Sequence, residues 1–113
     1  MKKILILVLL LTISTTSFSG ANYQTGEKLI NYIRSSNEMD RVYAMAYIQG
    51  VIDLEYTGFG SDGNGYICQM DEVTTNQLVQ ITKNYLEKHP ETWKYAARFL
   101  VIFAISDVYP CKK

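Results

Sequence analysis

Apolar and polar residues alternate with a helical repeat along most of the chain. Apolar side chains recur every three or four positions in four segments, at about residues 25–36, 38–56, 74–88 and 89–108. A stretch rich in glycine separates the second segment from the third. The pattern predicts a small all-α domain of four helices, with room for one extra short helix, and a long glycine-rich loop between helices two and three.

Residues typical of helix ends support these boundaries. Asn37 precedes the second segment and suits an N-cap. Thr74 and Gln77 have the spacing of a capping box, the clearest helix start in the chain. Pro90 suits the first turn of the fourth helix, so we expect that helix to begin at His89. Pro110 disfavours helical backbone at the residue before it, and the helix is expected to stop there.

The second helix carries few polar residues, which predicts burial on most of its surface. Gly50, in its interior, costs about 1 kcal/mol relative to alanine. Close approach of a neighbouring helix would explain it. Asp53 has two interpretations: a structural acid bonded to a tyrosine or a backbone amide, or a functional carboxylate.

The N-terminal segment has the features of a secretory signal peptide. Lys2 and Lys3 precede the apolar run Ile4–Ile13, and small and polar residues follow. The alternative is a membrane anchor, for which the run is short. We expect residues 1–21 to be the signal peptide and residues 22–113 to form a single domain.

Charge argues against nucleic-acid binding. Without Lys2 and Lys3, nine basic residues stand against eleven acidic ones, which gives the mature chain a net charge of about −2. The mature chain has no basic patch.

The two cysteines, Cys68 and Cys111, fit an exported protein. Two cysteines in an oxidising compartment usually pair, so we expect a disulfide that ties the C-terminus to the domain. A catalytic or metal-binding thiol is the alternative. The chain has a single histidine and no Cys-x-x-Cys spacing to support it.

The sequence GFGSDG at residues 58–63 matches the G-x-G-x-x-G fingerprint of dinucleotide-binding folds. That fingerprint requires a preceding strand and a helix that begins inside it, whereas here a predicted helix precedes it and more loop follows. We therefore reject nucleotide binding. A calcium loop starting at Asp62 is also disfavoured, because Val73 stands where the twelfth-position glutamate belongs. No metal or other cofactor is expected.

The glycine-rich stretch is better interpreted as an exposed loop that reaches into a partner's cleft. Loops this long in small domains are usually functional or disordered, and a simple connector is the alternative. In the binding interpretation the aromatic residues act as anchors and the polar residues make hydrogen bonds. The predicted contact residues are Phe59, Gly60, Ser61, Asp62, Asn64 and Tyr66.

Little in the sequence supports catalysis. His89, the only histidine, lies between two predicted helices and suits a cap or hinge better than a general base. Asp53 and Glu55 lie two positions apart on a helix and face different directions. No Ser-His-Asp set is recognisable, and we expect no enzymatic activity.

An ordered set of short motifs resembles the Tai/Rap immunity proteins of type VI secretion systems. The set comprises YIQGVID (with Tyr47, Gly50 and Asp53), a cysteine after a loop, VTTNQL (with Thr74 and Gln77), YLEKHPE and a terminal YPC that contains Pro110. It covers about residues 42–111. The chain departs from the family pattern at Ala44, where members often have a cysteine, and at Met70, where they often have a proline. The first departure leaves no second disulfide, and the second indicates a different loop path.

The resemblance implies an all-helical periplasmic protein, often a homodimer, without membrane contact after signal cleavage. It would bind and block a peptidoglycan amidase that uses a Cys–His pair in a groove. The alternative is a periplasmic structural or chaperone-like helical module without a toxin partner.

Overall fold

The computed structural model describes residues 23–57 and 65–111. This part of the chain forms four α-helices, which confirms the predicted all-α class. The helices are α1 (Gly26–Arg34), α2 (Glu38–Glu55), α3 (Thr75–Lys88) and α4 (Ala97–Val108), with a 3-10 turn at Pro90–Thr92. Isolated β-bridges, rather than strands, are the only extended pairings within the described ranges.

The predicted caps are confirmed. The Asn37 side chain accepts a hydrogen bond from the Met39 backbone N–H at the start of α2. At the start of α3, the Thr74 side chain accepts from the Gln77 N–H while the Gln77 side chain accepts from the Thr74 N–H. These bonds satisfy backbone donors that have no partner within the helix, and they fix where both helices begin.

The prediction that helix four begins at His89 is wrong. His89 is the C-cap of α3, in agreement with its interpretation as a cap residue. Pro90 begins a single 3-10 turn rather than a long helix. Three backbone hydrogen bonds join this segment to the start of α1. The Glu27 N–H donates to the Trp93 carbonyl and the Gly26 N–H to the Tyr95 carbonyl. The Ala97 N–H donates in the other direction, to the Gln24 carbonyl. Because this segment pairs with the start of α1, it is extended at Ala96, and α4 begins one residue later.

The four helices enclose a single apolar core. Its largest fully buried aliphatic side chains are Leu29, Ile30, Ile48, Ile67, Leu78, Leu86, Leu100, Val101 and Ile105. Burying each of them contributes roughly 1.5–3 kcal/mol relative to exposure. The core therefore takes residues from every helix and one, Ile67, from the segment that follows the glycine-rich stretch.

The predicted disulfide between Cys68 and Cys111 is confirmed. Beside it, the Cys68 N–H donates to the Tyr109 carbonyl at 3.0 Å, and Ile67 forms a β-bridge with Pro110. The end of the glycine-rich stretch is thus attached to the segment that leaves α4.

The predicted burial of most of α2 is wrong. Only Ala44, Ile48, Ile52 and Glu55 are buried along its length. They lie on the side that meets the other helices, and the opposite side faces solvent, with Met39 and Leu54 among its exposed residues. A sparsely polar helix in one chain therefore retains an uncovered apolar side.

Candidate functional site

Helix α4 presents aromatic side chains to solvent. Phe99 and Phe103, one turn apart, are each 49 % exposed. On one side of them lies a groove of about 550 Å³ that Tyr95 also lines. On the other side lies a groove of about 490 Å³ that Tyr66 lines. We call the set Tyr66, Tyr95, Phe99 and Phe103 the aromatic surface.

The sequence of α4 explains why these rings point outward. Leu100, Val101 and Ala104 face the core and are buried, which agrees with the helical repeat of apolar residues in the segment 89–108. Phe99 and Phe103 do not share the side of the helix that carries Leu100, Val101 and Ala104, and their spacing of four places them together on another side. This spacing was the signal that sequence reasoning missed.

Tyr66 is the one predicted partner-binding residue within the described ranges. Its side chain is 68 % exposed, and its backbone N–H lies 3.5 Å from the Glu55 Oε1 that accepts its hydrogen bond. Glu55 is only 8 % exposed, so a buried carboxylate at the end of α2 holds the backbone from which Tyr66 projects. The other predicted contacts lie outside the described residues: Phe59, Gly60, Ser61, Asp62 and Asn64.

Two cations flank the aromatic surface. The Lys94 ammonium lies 5.3 Å from the centre of the Tyr95 ring, and the Arg98 guanidinium lies 5.2 Å from the centre of the Phe99 ring. Neither cation forms a salt bridge with an acid in residues 23–57 or 65–111. Cation–π contacts of this kind contribute about 0.5–1 kcal/mol at exposed sites and leave the charges accessible to a partner.

The Y-I-x-G-V-x-D motif has structural contacts. The side-chain amide of Gln49, inside the motif, makes two hydrogen bonds. Its Nε2 donates to Asp53 Oδ1 at 2.7 Å, and its Oε1 accepts from the Thr75 hydroxyl at 2.6 Å. Asp53 is exposed, and among the described residues its carboxylate bonds the amide side chain of Gln49 rather than the expected tyrosine or backbone amide. Burial raises the pKa of Tyr47, and the nearby Tyr43 acts in the same direction, while Arg98 acts in the opposite one. The motif therefore links α2 to the start of α3 and to α4.

Gly50 does not serve a close approach within the chain. A Cβ built at Gly50 meets no atom of residues 23–57 or 65–111 within 4 Å, so none of the helices α1, α3 and α4 approaches it closely and that prediction is wrong for them. Gly50 instead belongs to an outward row on α2 with Met39, Val42, Tyr43 and Ala46, all exposed and spaced by three or four. We call these five residues the α2 stripe.

Residues suited to catalysis are scattered. His89 Nδ1 lies 3.2 Å from Glu91 Oε1, and its ring packs 4.5 Å from that of Tyr85. Within the described ranges, histidine, cysteine and acidic residues form no group of three or more that could hold a metal ion. No helix there is both long and apolar enough to cross a membrane.

The sequence matches the family model of the Rap1a immunity proteins over residues 25–111. The chain belongs to this family. The match runs from the N-cap of α1 to the disulfide at Cys111 and includes all four helices. No curated protein matches the chain. Membership makes this an immunity protein and implies that its partner is a cognate effector protein.

Proposed function

We propose that this immunity protein acts in the periplasm by binding a peptidoglycan amidase effector of a type VI secretion system. In this proposal it occludes the amidase groove and so protects its own cell and sister cells. The supporting observation, in a member of an immunity family, is the exposed aromatic surface, of which Tyr66 belongs to residues 58–67. Exposed rings of this size, grouped together, mark protein-binding surfaces.

A contact residue that is held in place before binding favours inhibition by occlusion. Tyr66 is held on one side by the hydrogen bond to buried Glu55 and on the other by the Cys68–Cys111 disulfide. Holding Tyr66 in advance lowers the entropy lost on binding. Residues 58–67 would then enter the amidase groove, with Phe59 and Tyr66 as anchors, and exclude the cell-wall peptide from the nucleophile. This inhibitor needs no catalytic group of its own.

A binding and activity assay tests the proposal. The oxidised mature chain is titrated into the amidase encoded by the adjacent effector gene, and hydrolysis of peptidoglycan fragments is followed. We expect stoichiometric loss of activity. Phe59→Ala and Tyr66→Ala should each weaken binding by about tenfold or more, as for central aromatic anchors. Val108→Ala removes an exposed apolar group elsewhere on α4 and should leave affinity unchanged.

Two results would contradict the proposal. If the amidase does not bind, or binds and remains fully active, inhibition is excluded. The chain would then be better described as a helical module without this toxin partner.

We also propose that two copies pair through the α2 stripe. Met39 is among the most exposed large apolar residues of the described chain, and Val42 and Tyr43 continue the row. Gly50 has open space beside it, which allows a second helix to approach closely. A contact at this row would explain an apolar helix side that the chain itself leaves uncovered.

Gly50→Glu tests this pairing, because the side chain enters open space in one chain but would clash in a close helix contact. Analytical ultracentrifugation should show a dimer for the unsubstituted protein and a monomer for the variant. Asn31→Glu, on the exposed side of α1, is the control and should remain dimeric. A monomeric unsubstituted protein at high micromolar concentration would exclude the pairing.

A further inference from the structure

We propose that Tyr95, Phe99 and Phe103 of the aromatic surface, together with Lys94 and Arg98, form a second contact area for the effector. It fits a protein surface that is apolar at its centre and carries carboxylates around it. The inference rests on the proposed function, since it names a surface and a chemistry for the same partner. It extends the contact well beyond residues 58–67.

Continuity with Tyr66 is the first reason. Tyr66 lines the same groove as Phe99 and Phe103, so a protein that covers Tyr66 meets these rings as well. Phe99 and Phe103 also line the larger groove with Tyr95 on their other side. The rings thus form a raised edge between two grooves, and a partner that begins at Tyr66 can extend across it.

The exposed rings are the second reason. Phe99 and Phe103 point away from the buried residues of α4 and keep half of their area in water. Covering such rings contributes roughly 25 cal/mol per Å² of apolar area, and aromatic contacts add to that. A partner gains this free energy without rearranging the core.

The charges around the two grooves indicate which kind of partner binds there. Among the described residues, the charged ones that line the two grooves are Lys94, Arg98 and Glu55. Glu55 is buried and accepts the hydrogen bond from the Tyr66 backbone, so the exposed charges of these three are both positive. A second copy that met this surface with its own aromatic surface would bring cations against cations. An acidic partner complements it instead.

The test measures affinity and molar mass for the same variants. The probe is the amidase of the adjacent effector gene with its nucleophilic cysteine replaced by alanine. We expect the double variant F99A/F103A to bind about tenfold or more weakly, and Arg98→Glu to do the same. Val108→Ala and Lys28→Glu, an apolar and a cationic control outside both grooves, should stay within about twofold.

Salt provides a separate readout of charge complementarity. Affinity of the unsubstituted chain should fall as sodium chloride rises, and the fall should be shallower for Arg98→Gln. Circular dichroism of each variant checks that the helices are retained. Because Arg98 is exposed, its substitution is a test that does not depend on core packing.

Three outcomes overturn the inference. If the F99A/F103A and Arg98 variants bind normally while Phe59→Ala and Tyr66→Ala weaken binding, the proposed function stands and the second contact area does not. If F99A/F103A turns a dimer into a monomer, the aromatic surface belongs to a second copy. If the unsubstituted chain fails to bind the amidase, the proposed function and this inference fall together.

Discussion

Gly26 lies in a crowded environment and Gly50 in an open one. Within the described residues, only Gly26 allows a close contact with another part of the chain. A Cβ at Gly26 would lie 2.5 Å from Leu100 Cδ1 and 3.0 Å from the Trp93 Cα, whereas one at Gly50 meets nothing. The sequence drew attention to Gly50 because it interrupts a long helix. Gly26 looked ordinary, because its neighbours come from residues about seventy positions away and no local pattern predicts them.

Gly26→Ala should therefore destabilise the fold. The new methyl group must displace the buried Leu100 side chain and press on the Trp93 backbone, at a cost of about 1–3 kcal/mol. Urea unfolding monitored by circular dichroism measures the change, with Asn31→Ala on the exposed side of α1 as control. Unchanged stability would mean that α1 and α4 are less closely packed than described.

Thr82 is fully buried in α3, and its hydroxyl has no hydrogen-bond partner among the described residues. Burying an unsatisfied hydroxyl costs about 1–3 kcal/mol. Thr82→Val keeps the shape and removes this cost, so we expect a higher midpoint of thermal unfolding. Thr92→Val is the contrasting control, because its hydroxyl donates to the His89 carbonyl at 2.6 Å, and its loss should lower the midpoint. A lower midpoint for Thr82→Val would contradict the assignment.

Tyr47 makes stability sensitive to alkaline pH. Burial raises its pKa in the folded protein above the ordinary 10.0, so the folded chain holds the phenolic proton more tightly than the unfolded chain. This contribution to stability is complete below pH 10 and is lost as the pH rises through the folded-state pKa. Tyr47→Phe cannot ionise, so its unfolding midpoint should fall less between about pH 8 and about pH 11 than that of the unsubstituted protein. An equal fall in both proteins would rule this out.

At the scale of the elements, the sequence predicted that four helices form, but it did not predict which residues pack against each helix. The Thr74–Gln77 capping box and the Asn37 cap are local signals, and both helix starts were correct. The start of α4 was missed because residues 93–97 pair with residues 24–27, a contact between distant parts of the chain that overrides the local preference of Pro90. Val108, the last apolar residue of the predicted fourth segment, is also exposed: it lies at the edge of a groove between the last turn of α4 and α3.

The disulfide controls how α4 and the glycine-rich stretch are joined. Replacing both cysteines, as C68S/C111S, opens a loop with a sequence separation of 43 residues. The chain-entropy model gives a loss of roughly 4 kcal/mol in the free energy of unfolding. Urea unfolding of the variant, compared with the oxidised unsubstituted protein, measures the loss. A change below about 1 kcal/mol would show that the β-bridge and hydrogen bond beside the disulfide hold this junction without it.

At the scale of the whole molecule, the chain leaves apolar surface uncovered on two sides, the α2 stripe and the aromatic surface. Sequence reasoning expected α2 to be buried and an exposed loop to contact the partner. It did not anticipate the aromatic surface: the spacing of Phe99 and Phe103 places them together on one side of α4, but the packing of the neighbouring helices decides that this side is exposed. Resemblance supplied the family, and the match over residues 25–111 established it.

Protection of living cells tests the central claim most directly. The proposed amidase effector is exported to the periplasm of a host that lacks immunity, and lysis is followed with and without this protein. We predict that the full chain prevents lysis and that a version lacking residues 1–21 does not, since it would remain in the cytoplasm. Lysis at the same rate with the full chain present in the periplasm would contradict the account.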